Sequence, residues 1–261
     1  MIHSTAIISP KATIGQNVTI GPYSIIEEDV NIGDNCIIGP HVQICRWTTL
    51  GNNCEVHKGA VLGDAPQDWS YKGCEAYTIF GDNCHIREYT VVHRGSKEGQ
   101  ATRIGDNCML MNNSHLGHDC QLADHVVIGS GTGLSGHVQV GERAIISGHV
   151  IVHQFVKIGA FSLAGGGAII TRDIPPYCVM SNYGYIYGAN LIGLKRNGFK
   201  IQERNAIRDI VKRYFFSEEA RPEMIADMTE QYQGQDRPML FVDFVRDTKR
   251  GIMPSSKEST R

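Results

Sequence analysis

Six of the eleven histidines fall between His85 and His137. The densest stretch is Asn112-Asn113-Ser114-His115-Leu116-Gly117-His118-Asp119-Cys120. An imidazole changes charge near neutral pH, and a carboxylate beside it can orient it. His118 with Asp119 therefore suits general-base work on a weak nucleophile. Two further polar residues, His137 and Gln154, recur at telling distances: the interval from Asp119 to His137 is half that from His118 to Gln154. Metal binding is the rival chemistry, because His115, His118 and His137 offer three imidazoles. His115 is out of phase with His118 in the repeat described below, so no metal is expected. The eight cysteines contain no CxxC pair, which removes the common zinc-finger spacings. Gly129–Gly133 and Gly165–Gly167 lead into no helix, so neither run reads as a phosphate loop.

For residues at that interval and its double to meet, the chain must return on itself once per interval. From Ile2 to Ile170 it has the means, a period of six, three of which make the interval. Of 29 positions counted by sixes, 24 are Ile, Leu or Val, Phe80 and Ala164 also fit, and Asp68, Cys74 and Glu98 break the pattern. No helical period holds one frame this long. Such a repeat marks a hexapeptide parallel β-helix, with three hexads to a triangular coil. Coils stack about 4.8 Å apart through parallel pairing. The aliphatic positions point inward, and turn formers such as Gly33-Asp34-Asn35 and Gly81-Asp82-Asn83 make the corners. Cys36, Cys54, Cys84, Cys108 and Cys120 share the small-residue phase and read as buried thiols. The breaks at 64–79 and 94–103 must leave the prism as loops, and such loops often carry function.

Asp173-Ile174-Pro175-Pro176 is expected to end the repeat, since a diproline stops strand pairing. Ile207, Ile210, Val211, Tyr214 and Phe215 then follow helical spacing, and 222–232 and 238–249 read as two more helices. The expected organisation is a β-helix over 1–190 and an α-helical domain over 191–261. A net charge of −2 argues against nucleic acid as a partner. No apolar run is long enough to span a membrane, and no secretory signal opens the chain, which points to the reducing cytoplasm. Residues 191–261 carry 14 Lys and Arg against 11 Asp and Glu, a positive excess that could help dock an acidic partner.

The hexads with a helical C-terminal segment resemble the UDP-N-acetylglucosamine 3-O-acyltransferases of lipid A biosynthesis. The resemblance runs through Pro66-Gln67-Asp68, Ile86-Arg87-Glu88, His93-Arg94-Gly95, His115 to Cys120, Ser135-Gly136-His137-Val138, Val152-His153-Gln154-Phe155, Asp173 to Pro176, Gly193-Leu194-Lys195-Arg196 and Arg250-Gly251-Ile252. It implies an all-β, left-handed parallel β-helix with a small α-helical domain. It also implies a homotrimer with its sites between prisms and no cofactor. The donor would be an (R)-3-hydroxyacyl chain on acyl carrier protein, and the acceptor the 3-hydroxyl of UDP-N-acetylglucosamine. By the same resemblance, His118 would be the base, Asp119 its orienting carboxylate and Gly136 the oxyanion donor. His115, His137, His153 and Gln154 would line the sugar and acyl pocket. Asp68 would touch the acceptor, Asn190 and Arg196 the nucleotide, and Gly166 would leave the acyl groove open for a long chain.

Two positions depart from the family pattern. Ser70 stands where a Lys is common, with Lys72 close by, and Ile192 stands where a Glu is common. By the resemblance both would touch the nucleotide-sugar pocket, so a 3-amino sugar acceptor stays open, with an amide as product. An acetyl-CoA-dependent acetyltransferase is the other enzyme class that hexads allow. The related N-acyltransferase fits less well, since it carries a domain before its helix and here the hexads start at residue 2.

Overall fold

Each hexad contributes a strand of two to four residues and a turn. The computed structural model describes residues 1–256, so the last five residues of the expected 191–261 segment lie outside it. The strands form three parallel sheets of nine, eight and ten strands. Partners lie three hexads apart in most of the stack, as in Ile7↔Ile25 and Ile25↔Gln43. The result is a left-handed β-helix of triangular section. Its second strand residue points inward, so Ile20, Ile38, Ile86, Leu116, Ile146 and Ile170 are all buried. The chain turns each corner with φ near +60°. One corner column uses Asn17, Asn35, Asn53, Asn83 and Asn107 for this, a residue that tolerates the left-handed region. The five in-phase cysteines are buried, each within reach of a backbone carbonyl, such as Gly51 O for Cys36 and Ser135 O for Cys120.

The two excursions are shorter than the pattern breaks suggest. Strands run to Asp64 and His93 and resume at Tyr77 and Ala101, so residues 65–76 and 94–100 leave the prism. Parallel pairing resumes before the inward aliphatics do. Across the first excursion partners are five hexads apart, as in Val61↔Val91, and across the second four, as in Tyr77↔Ala101. The loops therefore add two hexads and one hexad, which is why the frame survives them and why three positions break it.

The diproline does not end the stack. Cys178–Met180 pairs in parallel with Leu163–Ala164, and Ile186–Ala189 closes that sheet antiparallel. Pro175 and Pro176 sit at a corner, Pro176 against Gly159, where no ladder N–H is required. Four helices follow: α1 (Leu191–Arg196), α2 (Ile201–Phe216), α3 (Arg221–Gln231) and α4 (Asp236–Arg246). The buried face of α2 is Ile207, Ile210, Val211, Tyr214 and Phe215. The chain then returns to the prism. Asp173 receives bonds from Lys157 N and Thr248 Oγ1 and bridges to Ile252.

Candidate active site

The three-hexad coil brings Asp119, His137 and Phe155 into one corner column, all with positive φ, and His118, Gly136 and Gln154 into the column beside it. His118 Nδ1 lies 2.8 Å from Asp119 Oδ2, and His137 Nε2 lies 3.6 Å from the same oxygen. The two imidazoles meet edge to face at 5.0 Å, and His137 stacks on Phe155 at 4.7 Å. His118 is 13% exposed and Asp119 7%, so the pair is shielded while one face of His118 stays reachable.

Asp119 is fixed by more than His118. Its carboxylate accepts the Ser96 amide at 3.1 Å, and its own amide donates to Thr102 Oγ1 at 2.8 Å. Burial alone would raise the carboxyl, but the bonds from His118 and Ser96 and the neighbouring His137 hold it below its ordinary value. Asp119 is thus an anion, and His118 Nδ1–H donates to it. That leaves Nε2 as the lone-pair nitrogen, the arrangement of an oriented general base. Burial, then the nearby His118 and Lys97, hold His137 below its usual pKa against the pull of Asp119.

Gly136 has a steric reason to be glycine. A β-carbon there would lie 2.5 Å from His118 Cε1 and 2.6 Å from Nε2. The His118 ring rests on the Gly136 backbone.

Both excursions close on this corner. Asp68 caps the Ser70 amide at 2.8 Å, and this bond first of all lowers its carboxyl. It also lies near enough to His118 and Asp119 for their charges to act on it. Lys72 Nζ is turned back to the Trp69 carbonyl.

The remaining expected residues lie elsewhere in the chain. His115 faces outward one strand away and packs at 5.0 Å against His93, a buried imidazole pushed down to about 4 by burial and by His115 itself. The metal grouping of His115, His118 and His137 is therefore not formed. Asp119 takes the place of His115, since ligand atoms of His118, Asp119 and His137 fall within 4.8 Å of one another. The 2.8 Å approach of Nδ1 to Oδ2 is a hydrogen bond, closer than the about 3.3 Å between two ligands of one tetrahedral zinc. His153 is exposed and meets Arg250, 3.2 Å away on the segment that returns to the prism after α4. Asn190 caps α1 through Gly193 N and bonds Phe161 O. Arg196 lines a groove of about 490 Å³ with Leu191, Ile192, Lys195 and Arg204. Gly166 sits on a third corner, where a β-carbon would lie 3.3 Å from Gly148 O. Sequence reasoning missed Phe155, Ser96 and Thr102 as the residues that hold the two imidazoles and the carboxylate. One further coil step from His137 would have found Phe155. A groove of about 1020 Å³, lined in part by Leu240 and Phe244, runs along another face and touches none of these histidines.

Comparison with known proteins gives the arrangement a class. The bacterial transferase hexapeptide repeat matches residues 11–46, 29–64 and 101–136, and the description "Udp N-acetylglucosamine O-acyltransferase; Domain 2" matches residues 173–253. The fold and these two matches define a hexapeptide-repeat acyltransferase. An acyl-[acyl-carrier-protein]–UDP-N-acetylglucosamine O-acyltransferase of a Sulfurihydrogenibium species is 48% identical, over 98% of this chain and 96% of its own. The enzyme of that name from Chlamydia abortus is 39% identical over 96% and 91%. The UDP-N-acetylglucosamine acyltransferase structure from Francisella novicida superposes with a TM-score of 0.95 at 32% identity, covering 100% of this chain and 96% of the other. That from Bacteroides fragilis gives 0.93 at 33%, over 97% and 99%. The chain belongs to the acyl-[acyl-carrier-protein]–UDP-N-acetylglucosamine O-acyltransferase family. No helix among the described residues is long and apolar enough to cross a membrane.

Proposed function

We propose that the protein transfers an (R)-3-hydroxyacyl chain from acyl carrier protein to the 3-hydroxyl of UDP-N-acetylglucosamine, with His118 as general base. The observation that carries this is the Nδ1–Oδ2 bond of His118 to a buried, ionised Asp119, in a chain of this family. A sugar hydroxyl is a poor nucleophile at neutral pH. His118 Nε2 takes its proton as the oxygen attacks the thioester carbonyl, and Asp119 steadies the imidazolium that forms. The Gly136 N–H donates to the oxyanion of the tetrahedral intermediate. Collapse expels the pantetheine thiolate, which takes the proton back from His118. Asp68, His115, His137, His153 and Gln154 line the sugar and acyl pocket in this reading, Asn190 and Arg196 hold the nucleotide, and no metal takes part.

The site is shared between copies of the chain. Two outer faces of the prism are mainly apolar: one carries Ile7, Ile25, Val61, Val91, Ile151 and Ile169 beside Gln43 and His115, the other Ile37, Met109, Val127, Ile145 and Leu163 beside Thr19, Glu55 and His85. The third carries Thr13, Asn31, Thr49, Arg103, Gln121, Gln139 and Lys157, with Ile79 its one aliphatic among these outward positions. Packing the first face of one copy on the second face of the next around a threefold axis covers both. The corner between the apolar faces, with Gly166, then points to the axis. The His118 corner of one copy meets the Asn190 corner of the next. This accounts for expected site residues lying on three corners of one chain. Seven of the eight cysteines are buried as free thiols, as suits a cytoplasmic protein.

The test is acyl transfer from hydroxyacyl carrier proteins of several lengths to UDP-N-acetylglucosamine, with His118→Ala alongside. A 3-O-acyl product made by the wild type and lost in the variant supports the reading. Activity only with the 3-amino acceptor would move the substrate, and activity only with acetyl-CoA would move the class.

A further inference from the structure

Trp69 is 99% exposed, which is unusual for the largest side chain in a tightly held turn. The turn is ordered by bonds on both sides of it: Ser70 N to Asp68 Oδ1, Tyr71 N to Asp68 O, Lys72 Nζ to Trp69 O, and Tyr71 Oη to Cys74 O. The excursion is fixed in turn to its neighbour, through Glu75 N on Glu98 and Gly99 N on Glu75 O. That neighbour donates the Ser96 amide to Asp119. A continuous set of bonds thus registers the indole against the candidate base, and Asp68, one residue before it, already feels the charge of His118.

We propose that Trp69 is a binding residue for the acceptor and that its indole packs on the C–H face of the sugar ring whose hydroxyl faces His118. This rests on the acyltransfer reading above. A pyranose offers hydroxyls around its rim and weakly positive C–H groups on its face. A carboxylate suits the rim, and the negative face of an indole suits the C–H groups. Asp68 and Trp69 supply that pair on adjacent residues. The other tryptophan, Trp47, is half-buried and already carries two guanidinium groups over its ring, Arg46 at 4.3 Å and Arg94 at 5.0 Å.

Trp69 emission reads this directly, as the difference between wild type and Trp69→Phe, which leaves Trp47 untouched. UDP-N-acetylglucosamine should quench or blue-shift it, and neither UDP nor an (R)-3-hydroxyacyl pantetheine thioester should do so alone. Trp69→Ala should raise KM for the acceptor about tenfold, with kcat and the donor KM within twofold of wild type, and Trp69→Phe should recover most of the loss. A full response to UDP alone assigns the indole to the base, and one to the thioester assigns it to the acyl chain. A blue emission that no ligand moves places it against another copy. Each of these overturns the proposal. A wild type that transfers acyl groups with Trp69 silent sinks this inference alone, whereas a wild type that transfers none takes the parent reading with it.

Discussion

Gly136→Ala adds one methyl group to the chain and puts it against the ring of His118, the proposed base. The new carbon would stand 2.5 Å from His118 Cε1 and 2.6 Å from Nε2, against an ordinary contact of about 3.5 Å or more. Something must move by about 1 Å. The backbone is the stiffer partner, because Gly136 O accepts Phe155 N at 3.1 Å and His137 N is tied to His118 O at 2.9 Å. The ring therefore swings, and its 2.8 Å bond to Asp119 is the tether that stretches. A misplacement of about 1 Å in a reacting group costs about 100-fold in rate, or about 2.7 kcal/mol of transition-state stabilisation. Folding should not suffer: φ at Gly136 lies outside the left-handed region, and alanine reduces the freedom of the unfolded chain. The assay is release of carrier-protein thiol at saturating donor, with melting temperature measured alongside. We expect kcat/KM down about 100-fold at an unchanged or raised melting temperature. Alanine keeps the N–H, so loss of the oxyanion donor cannot mimic the effect. In a His118→Ala background the same change should cost nothing further, since neighbours acting through one group are not additive. Wild-type kcat/KM in Gly136→Ala, or a full second loss on top of His118→Ala, would refute the reasoning.

Asp119→Asn keeps the shape but removes the anion that accepts His118 Nδ1–H. We expect kcat to fall by about 10² to 10⁴ with little change in acceptor KM, checked by steady-state kinetics. His93 is held at about 4 against an ordinary value of about 6.5, so the unfolded chain binds its proton first. Its contribution is fully present above pH about 6.5 and is lost as pH falls toward 4, by at most about 3 kcal/mol. Urea midpoints across that window should flatten in His93→Gln, and an unchanged slope would place the sensitivity elsewhere. Gly166→Met should shift donor preference to shorter hydroxyacyl chains in a chain-length series, because its new side chain meets only Gly148 O and Ser147 Cβ at first contact. Unaltered preference would remove Gly166 from the groove.

The prism was legible because its rule is arithmetic: one inward aliphatic in every hexad, and a stacked neighbour in every third. The same arithmetic placed Asp119 beside His137 without any coordinates. The excursions resisted this treatment, since a loop that leaves the stack has no column to be read from. Ser96 and its bond to Asp119 could not be foreseen for that reason. His93 and His115 occupy neighbouring columns of adjacent coils, so their contact depends on rotamers rather than register. The diproline misled because proline excludes itself from a ladder but not from a corner. Asn190, Arg196 and Gly166 lie on other corners, and only the proposed threefold assembly would bring those corners to one site.

The left-handed corners have a consequence for anyone seeking a more robust form of this protein. Where one column turns on five asparagines, the column that matters turns on Asp119, His137 and Phe155 at φ of 61°, 61° and 66°. Such a conformation costs a branched or aromatic residue about 1–2 kcal/mol. An engineer ranking positions by expected gain would choose asparagine or glycine at His137 and Phe155 early, and would have good physical grounds. The thermal tolerance so gained would come out of turnover, because the backbone strain and the imidazole stack occupy the same residues. Heat resistance is better sought at Tyr23 and His41, which turn a different corner with the same positive φ near the N-terminal end of the prism and stack on each other rather than on His118 or Asp119.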